Sequence, residues 1–480
     1  MADVFRPSIR LRPSEQRGIL VFGDLIASTA AVFAAIYFWY QYSLYQLIQG
    51  GMSLSRAEKL LEIRVPVWFY ILPLAWILLM VELYESHTAA DWQRTLRGIF
   101  IAALVGLLGY SVVFTINLDP TSLPRIGVGA FLVVASLLTL GWRALYIRFY
   151  TTSGLMRRVL IVGAGKAGRT LVDVYSGLKP PPYNLVGFID DDPHKRGKPY
   201  KGFRVIGSNE RLLDIVDEYH ISDLVISITG EIQGATFQAI LDAQERGVEV
   251  TRMPILYEEM TGRVPIHHLE SDWVIRSFVD QVRVSGFYEL FKRLMDLFSG
   301  LVGLLIFALF VPFASSAILI DSGLPILYSQ TRLGKGGREF KIYKFRTMRQ
   351  DAEINGGFQP TQKHDPRITR IGNFFRRTRL DELPQFWNVL TGEMSLVGPR
   401  AEQVQLVDSF QRQIPFYRAR LLVKPGLTGW AQVNYGYAST VYDTVIKLEY
   451  DLYYIKHRTF MMDLRIVLRT IGTVLGFRGR

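Results

Sequence analysis

No cysteine occurs anywhere in the 480-residue chain. Disulfide staples, thiolate nucleophiles and cysteine-ligated metals are therefore excluded. Charge is scarce as well: charged residues make up 20% of the chain against 49% hydrophobic ones, a balance that leans toward a membrane protein over a soluble enzyme. What charge there is carries a surplus of +12. That surplus calls for an acidic partner, and no nucleic-acid-binding signature is present. Anionic lipid headgroups and phosphorylated substrates remain, and both suit the apolar composition. The length suggests about three domains. No small-residue cleavage site follows the arginine-rich start (Arg6, Arg10, Arg12, Arg17), so a retained anchor is expected there and not a removed signal peptide.

Residues 1–150 hold four apolar stretches, roughly Gly18–Tyr42, Val65–Leu83, Leu96–Leu118 and Ile126–Phe149. Each approaches the about 20 residues that a bilayer-crossing helix needs, which predicts a four-helix transmembrane domain. Basic residues at the helix ends set its orientation. Arg94, Arg97, Arg148, Arg157 and Arg158 join the N-terminal arginines on one side, against Arg56, Lys59, Arg64 and Arg125 on the other. The larger set marks the cytoplasm, so the N-terminus and everything after Phe149 are expected there.

From Arg157 the pattern changes. RRVLIVGAGKAGRTLVDVY reads as strand, glycine turn and helix, with Gly163, Gly165 and Gly168 in a G-x-G-x-x-G arrangement. A second strand, NLVGFID, ends at Asp190, near the distance expected of a ribose-binding acid. A Rossmann-like α/β domain is expected over residues 157–265. Its glycines serve either a bound nucleotide or tight packing, and the sequence leaves both open. A linker over 266–286 would follow.

A fifth apolar stretch, Leu297–Ile320, must not cross. If it did, the Lys- and Arg-rich remainder would lie outside, against the charge rule. Pro312 offers a way out: it removes one helical hydrogen bond, frees the carbonyl of Ala308 and bends the chain. Ser315 or Ser316 would supply the missing partner, because an unbonded carbonyl is costly in hydrocarbon. A re-entrant helix over 290–320 satisfies both demands.

Beyond it, RLDELPQFWNVL places adjacent acids, Asp381 and Glu382, among Arg376, Arg377 and Arg379. Pro384 would sit in a first helical turn, where no N–H is lost. Asp381 is then either an ordinary N-cap or a carboxylate facing a phosphate site at a helix start. In KPGLTGWAQVN, Gly426 and Gly429 allow close backbone approach and Thr428 brings a hydroxyl, for a ligand or for a purely structural turn. The last helix, with Leu464, Val467, Leu468 and Ile471 on one face, fits a membrane surface or the rest of its own domain.

Over residues 287–480 the chain resembles the large monotopic phosphoglycosyl transferases, the polyprenyl-phosphate sugar-1-phosphate transferases. Four ordered blocks carry the likeness: the proline-broken helix, DSGLPILYSQTRLGKGGREFKIYKFRTM, RRTRLDELPQFWNVLTGEMSLVGPR and KPGLTGWAQVN. Two positions depart from the family pattern: Val311 stands where serine usually precedes the helix-breaking proline, and Ala401 replaces the proline of P-R-P-E. The resemblance implies a membrane α/β protein: a four-helix transmembrane domain, a Rossmann-like domain and an α/β monotopic catalytic domain with a re-entrant helix. It also implies a reaction, in which a UDP-sugar (a UDP-hexose first, N-acetylated sugars next) gives its sugar-1-phosphate to undecaprenyl phosphate and releases UMP. That step begins bacterial surface-polysaccharide synthesis at the cytoplasmic face of the inner membrane. Asp381 would be the nucleophile of a phosphosugar-aspartyl intermediate, with Glu382 beside it for metal binding or proton handling and Mg²⁺ required, held by Asp381 and Glu382.

Chemistry from the residues agrees with this. Arg376 and Arg400 suit the transferred phosphoryl oxygens, and Lys344 and Arg346, two apart in a strand, point to one face and could reach the same pocket. A homodimer fits a large membrane-attached enzyme, though no residue specifies one. Two rivals stand beside this reading. A membrane-anchored nucleotide-sugar dehydratase shares the front of the layout but would need its own active site in the Rossmann-like unit. A nucleotide-gated channel would need a filter sequence such as T-V-G-Y-G.

Overall fold

The computed structural model describes residues 13–62, 67–84, 89, 91–116, 125–150, 156–178, 181–269, 285–349, 365–436 and 440–475. Arg6, Arg10, Arg12 and Arg64 of the charge-rule argument, and 270–284 of the expected linker, lie outside the described residues. The chain divides into two compact units, Met1–Leu256 and Tyr257–Arg480.

The first unit begins with helices Pro13–Gln49, Trp92–Ile116 and Arg125–Tyr150, each long and apolar enough to cross a membrane. The expected second span is different. Val65–Leu83 is no continuous helix where it is described. It breaks into a 3₁₀ turn Val67–Ile71, an eight-residue helix Leu72–Leu79 and a second 3₁₀ turn Val81–Tyr84. Pro73 explains the break at the front, since its ring is tolerated only in the first turn of a helix. Eight residues rise about 12 Å, far short of the hydrocarbon thickness. The fourth helix of crossing length is instead Gly286–Ser322, in the second unit. Inside the first bundle lies a fully buried ion pair, Arg143 Nη2 to Asp24 Oδ2 at 2.6 Å, and Arg143 Nη1 also donates to the carbonyl of Leu83 at 2.8 Å.

The same unit contains five parallel strands: β1 (Arg158–Val162), β2 (Asn184–Ile189), β3 (Val205–Gly207), β4 (Asp223–Ile226) and β5 (Glu249–Arg252), in the order β3-β2-β1-β4-β5. Leu160, Ile161 and Val162 are buried in succession, as a strand covered on both faces requires. The unit ends earlier than the sequence suggests. Residues 257–265 pack with the second unit: the amide of Val264 donates to the carbonyl of Glu449, and Trp430 Nε1 donates to the carbonyl of Gly262 at 2.9 Å.

The second unit is built on the 37-residue helix Gly286–Ser322. One face packs along its whole length. Tyr288 and Lys292 bond Asp463, and Asp296 Oδ1 accepts from Ser395 Oγ and the Leu396 amide. Gly303 lies under the Phe386 ring, where no Cβ would fit, and Asp321 Oδ2 accepts the Ile371 amide at 3.1 Å. The opposite stripe, Phe298, Leu301, Leu305, Leu309 and Phe313, is exposed and apolar. Pro312 sits inside the helix, and Ser316 Oγ donates to the carbonyl of Pro312 itself at 2.9 Å, not to that of Ala308. A hairpin of β6 (Leu327–Leu333) and β7 (Glu339–Phe345) follows, then a small parallel pair, β8 (Ser395–Val397) and β9 (Gly426–Thr428). The last helix, Phe460–Leu475, puts Met462 and Ile466 into the core. The expected apolar face is a different one: Leu464, Val467 and Leu468 are only half-buried and Ile471 is exposed, so packing on its own unit does not fully account for it.

Candidate active site

The helix Arg370–Thr378 is capped by Thr369, whose hydroxyl accepts from the Gly372 amide, and it stops at Arg379 in a left-handed conformation (φ 61°). A 3₁₀ turn, Leu380–Gln385, starts there and carries both acids. No side chain caps this turn, so Asp381 is no N-cap.

Two adjacent carboxylates meet opposite surroundings. Glu382 is ringed by cations: Lys344 Nζ at 3.0 Å and Arg400 Nη1 at 3.5 Å from Oε1, and Arg379 Nη1 at 3.4 Å from Oε2. Burial raises its pKa, but Lys344, Arg400 and Arg379 outweigh that and hold it well below the usual carboxylate range. Asp381 is equally buried, yet its Oδ1 has no hydrogen-bond partner. Burial, then the neighbouring Glu382 charge, pushes its pKa up to about 6, against the pull of Lys344, Arg376 and Arg379. One acid is committed as an anion. The other is available.

Lys344 lies in β7, on the row of Phe340 and Ile342, which aims it inward. Arg346 does not share its destination. The strand ends at Phe345, alternation stops, and Arg346 Nη2 donates to the carbonyls of Ser322 and Gly323 at the end of the long helix. Its Nε and Nη1 remain without partners. Arg376 Nε donates to Thr347 Oγ1 at 2.8 Å, and its charge acts on Asp381. Thr428 pairs with Thr470 across 2.6 Å. A Cβ on Gly426 or Gly429 would collide with the backbone of Gly398, so these glycines let one chain segment approach another. Arg379 was missed as a ligand of Glu382, although its place two residues before Asp381 was a usable signal.

The glycine loop of the parallel sheet is a separate matter. Gly163 has φ +103°, and a Cβ on Gly168 would strike the Gly163 carbonyl, so both are needed for the turn itself. At Gly165 a Cβ would meet open space. Asp190 is already satisfied: Oδ2 accepts the Ala164 amide at 2.7 Å, Oδ1 the Asp192 amide at 3.0 Å, and Lys195 Nζ reaches both oxygens.

Fold and site together define a membrane-type α/β protein with an acidic pair set among cations. The chain belongs to the bacterial sugar transferase family, whose model matches residues 287–477. It is 44% identical over 234 residues to a UDP-N-acetylgalactosamine-undecaprenyl-phosphate N-acetylgalactosaminephosphotransferase of Aeromonas hydrophila, covering 48% of this chain and 54% of that one. It is 41% identical over 189 residues to the exopolysaccharide production protein PSS of Rhizobium leguminosarum bv. phaseoli, covering 38% of this chain and 94% of the relative. A UDP-glucose:undecaprenyl-phosphate glucose-1-phosphate transferase of Xanthomonas campestris pv. campestris is 32% identical over 287 residues, covering 58% and 57%. The chain thus spans little more than half the length of the first and third of these relatives.

Proposed function

We propose that this chain transfers a sugar-1-phosphate from a UDP-sugar to undecaprenyl phosphate, releasing UMP, at the cytoplasmic face of a bacterial inner membrane. The observation that carries the reading is the division within the acid pair: a buried, unpartnered Asp381 Oδ1 beside a Glu382 held by three cations. A free carboxylate oxygen set among cations is equipped to attack phosphorus. Asp381 Oδ1 bonds to the sugar-bearing phosphorus as the bond to the UMP oxygen breaks. The lipid phosphate then displaces Asp381, and one pocket serves both half-reactions. Arg376 and Arg400 stabilise the charge on the transferred group.

Magnesium fits one of its two expected ligands. Asp381 Oδ1 is free, while both Glu382 oxygens face cations, and no cluster of three or more His, Asp or Glu side chains exists among the described residues. Such a donor set suits an ion held through one carboxylate, waters and substrate phosphates, where it would offset the repulsion between carboxylate and diphosphate. Glu382 is assigned to orienting Lys344, Arg379 and Arg400.

Helix Gly286–Ser322 is read as entering and leaving the bilayer by one face. In support, Lys292 near its start and Asp321 near its end both bond the same α/β unit, which a straight spanning helix could not arrange without burying charge in lipid. Pro312 is the place for a bend. The parallel sheet is read as Rossmann-like, and no step of the reaction needs a nucleotide at Gly163–Gly168.

The test is a panel of UDP-glucose, UDP-galactose and their N-acetylated counterparts with undecaprenyl phosphate in membranes, scored for UMP. Relatives' names include both glucose and N-acetylgalactosamine, so the panel also names the donor. Release from one donor, lost in Asp381→Asn, is expected. Release from none overturns the reading.

A further inference from the structure

Arg400 reaches Glu382 with its side chain, but its own backbone is held from behind. The carbonyl of Arg400 accepts from Arg420 Nη2 at 3.2 Å, and the preceding carbonyl, of Pro399, accepts from the Gly426 amide at 2.8 Å. Arg420 is buried, and both terminal nitrogens of its guanidinium are engaged. Nη2 also donates to Asp451 Oδ2 at 2.8 Å, Nη1 donates to Tyr417 Oη at 2.8 Å, and Glu402 Oε1 lies 3.5 Å from Nη1. Asp451 comes from helix Val441–His457 and is almost wholly buried. A hydrophobic pair would fill this volume at least as favourably, since burying two charges is costly even when they meet. What a hydrophobic pair could not supply is a directed donor for the Arg400 carbonyl.

We propose that the Arg420–Asp451 ion pair, braced by Tyr417, is a positioning device that fixes the Arg400 backbone and so aims its guanidinium at the acid pair and at the phosphoryl group. Neither residue touches substrate in this scheme. Both act through Arg400. The inference rests on the proposed transfer reaction and names what orients one of its cations.

The experiment uses the full-length chain in membranes with undecaprenyl phosphate and the donor found active. Asp451→Asn, Arg420→Gln and the milder Tyr417→Phe are assayed alone and combined with Arg400→Lys, which keeps a cation. Thermal unfolding reports the folded fraction. Asp451→Asn is expected to lower kcat about tenfold and to reproduce the kcat-against-KM split of Arg400→Lys, with Tyr417→Phe a smaller change of the same kind. In the Arg400→Lys background the same substitutions should add less than about twofold, because residues acting through one group are not additive. Wild-type kinetics in folded single variants, or losses that multiply in the doubles, would overturn the proposal. If Asp451→Asn or Arg420→Gln does not fold, Tyr417→Phe decides alone, since it removes only a hydroxyl. A wild-type chain that releases no UMP from any donor defeats the transfer reading itself, a distinct result.

Discussion

Lys344 Nζ lies 3.0 Å from Glu382 Oε1, and that contact makes two neighbouring carboxylates unlike each other. The lysine is half-buried in β7 and is itself pushed below its ordinary pKa by desolvation, with Glu382 pulling it back. It stabilises the charge on Glu382 first and on Asp381 second, so the acids part in role although they share a turn.

A nucleophilic Asp381 must be ionised. Its carboxyl is pushed up to about 6, so it is protonated below that value and charged above it. UMP release is expected to fall as pH drops through about 6, with an apparent pKa in the kcat/KM profile that belongs to the pair. A profile flat down to pH 4.5 would rule Asp381 out as the ionising nucleophile.

Lys344→Met removes a cation that lowers both acids. The acid limb should then move to higher pH, and UMP release at pH 7 should fall by at least about tenfold. An unmoved limb would mean that Lys344 does not set the charge of the pair.

Gly303→Ala tests the seat of the long helix. The added methyl would strike the Phe386 ring three residues beyond Leu383, displacing the turn that carries Asp381. Overpacking of this kind costs about 1–3 kcal/mol, read as a lower melting temperature. Gly286→Ala, where a Cβ meets nothing, is the control and should change little.

Glu449 links pH to stability. Burial pushes its carboxyl up to about 7 from an ordinary 4.5, against the pull of Arg263, Tyr257 and the Ile266 amide. The folded chain therefore holds this proton more tightly than the unfolded one. The stabilisation is full below pH 4.5 and is lost as pH rises to 7 and beyond. Glu449→Gln should flatten the fall in melting temperature between pH 5 and pH 8, and an unchanged slope would place the effect elsewhere.

Asp24→Ala would leave Arg143 charged and unpaired inside the first bundle. Breaking a buried pair by removing one partner typically costs about 3–5 kcal/mol, so detergent-solubilised protein should unfold earlier. Equal melting curves would mean that water or lipid headgroups replace the aspartate.

Local pattern carried a good deal of this protein. The 18-residue and longer apolar stretches, the β1–glycine–helix unit and the importance of the Asp381–Glu382 block were all readable, because periodicity, helix length and turn chemistry are properties of neighbours in sequence. The failures have a common cause. Val65–Leu83 has the apolar content of a span, yet Pro73 breaks its helical ladder, and hydropathy does not register a break. Lys344 and Arg346 share a parity but not a destination, because parity holds only while the strand lasts. Asp190 stands at the distance of a ribose ligand, but Lys195 and the Ala164 amide reach it first.

The sequence by itself determined four of the five expected long apolar helices, the surplus of cations and the acid pair, since each is written in a run of adjacent residues. Only the tertiary structure decided which cations meet Glu382, that Asp381 keeps an oxygen free, and that Arg420 and Asp451 stand behind Arg400. Those facts depend on side chains up to 38 residues apart in sequence competing for the same few ångströms. Electrostatic energy follows distance and burial, and neither is a property of position in the chain.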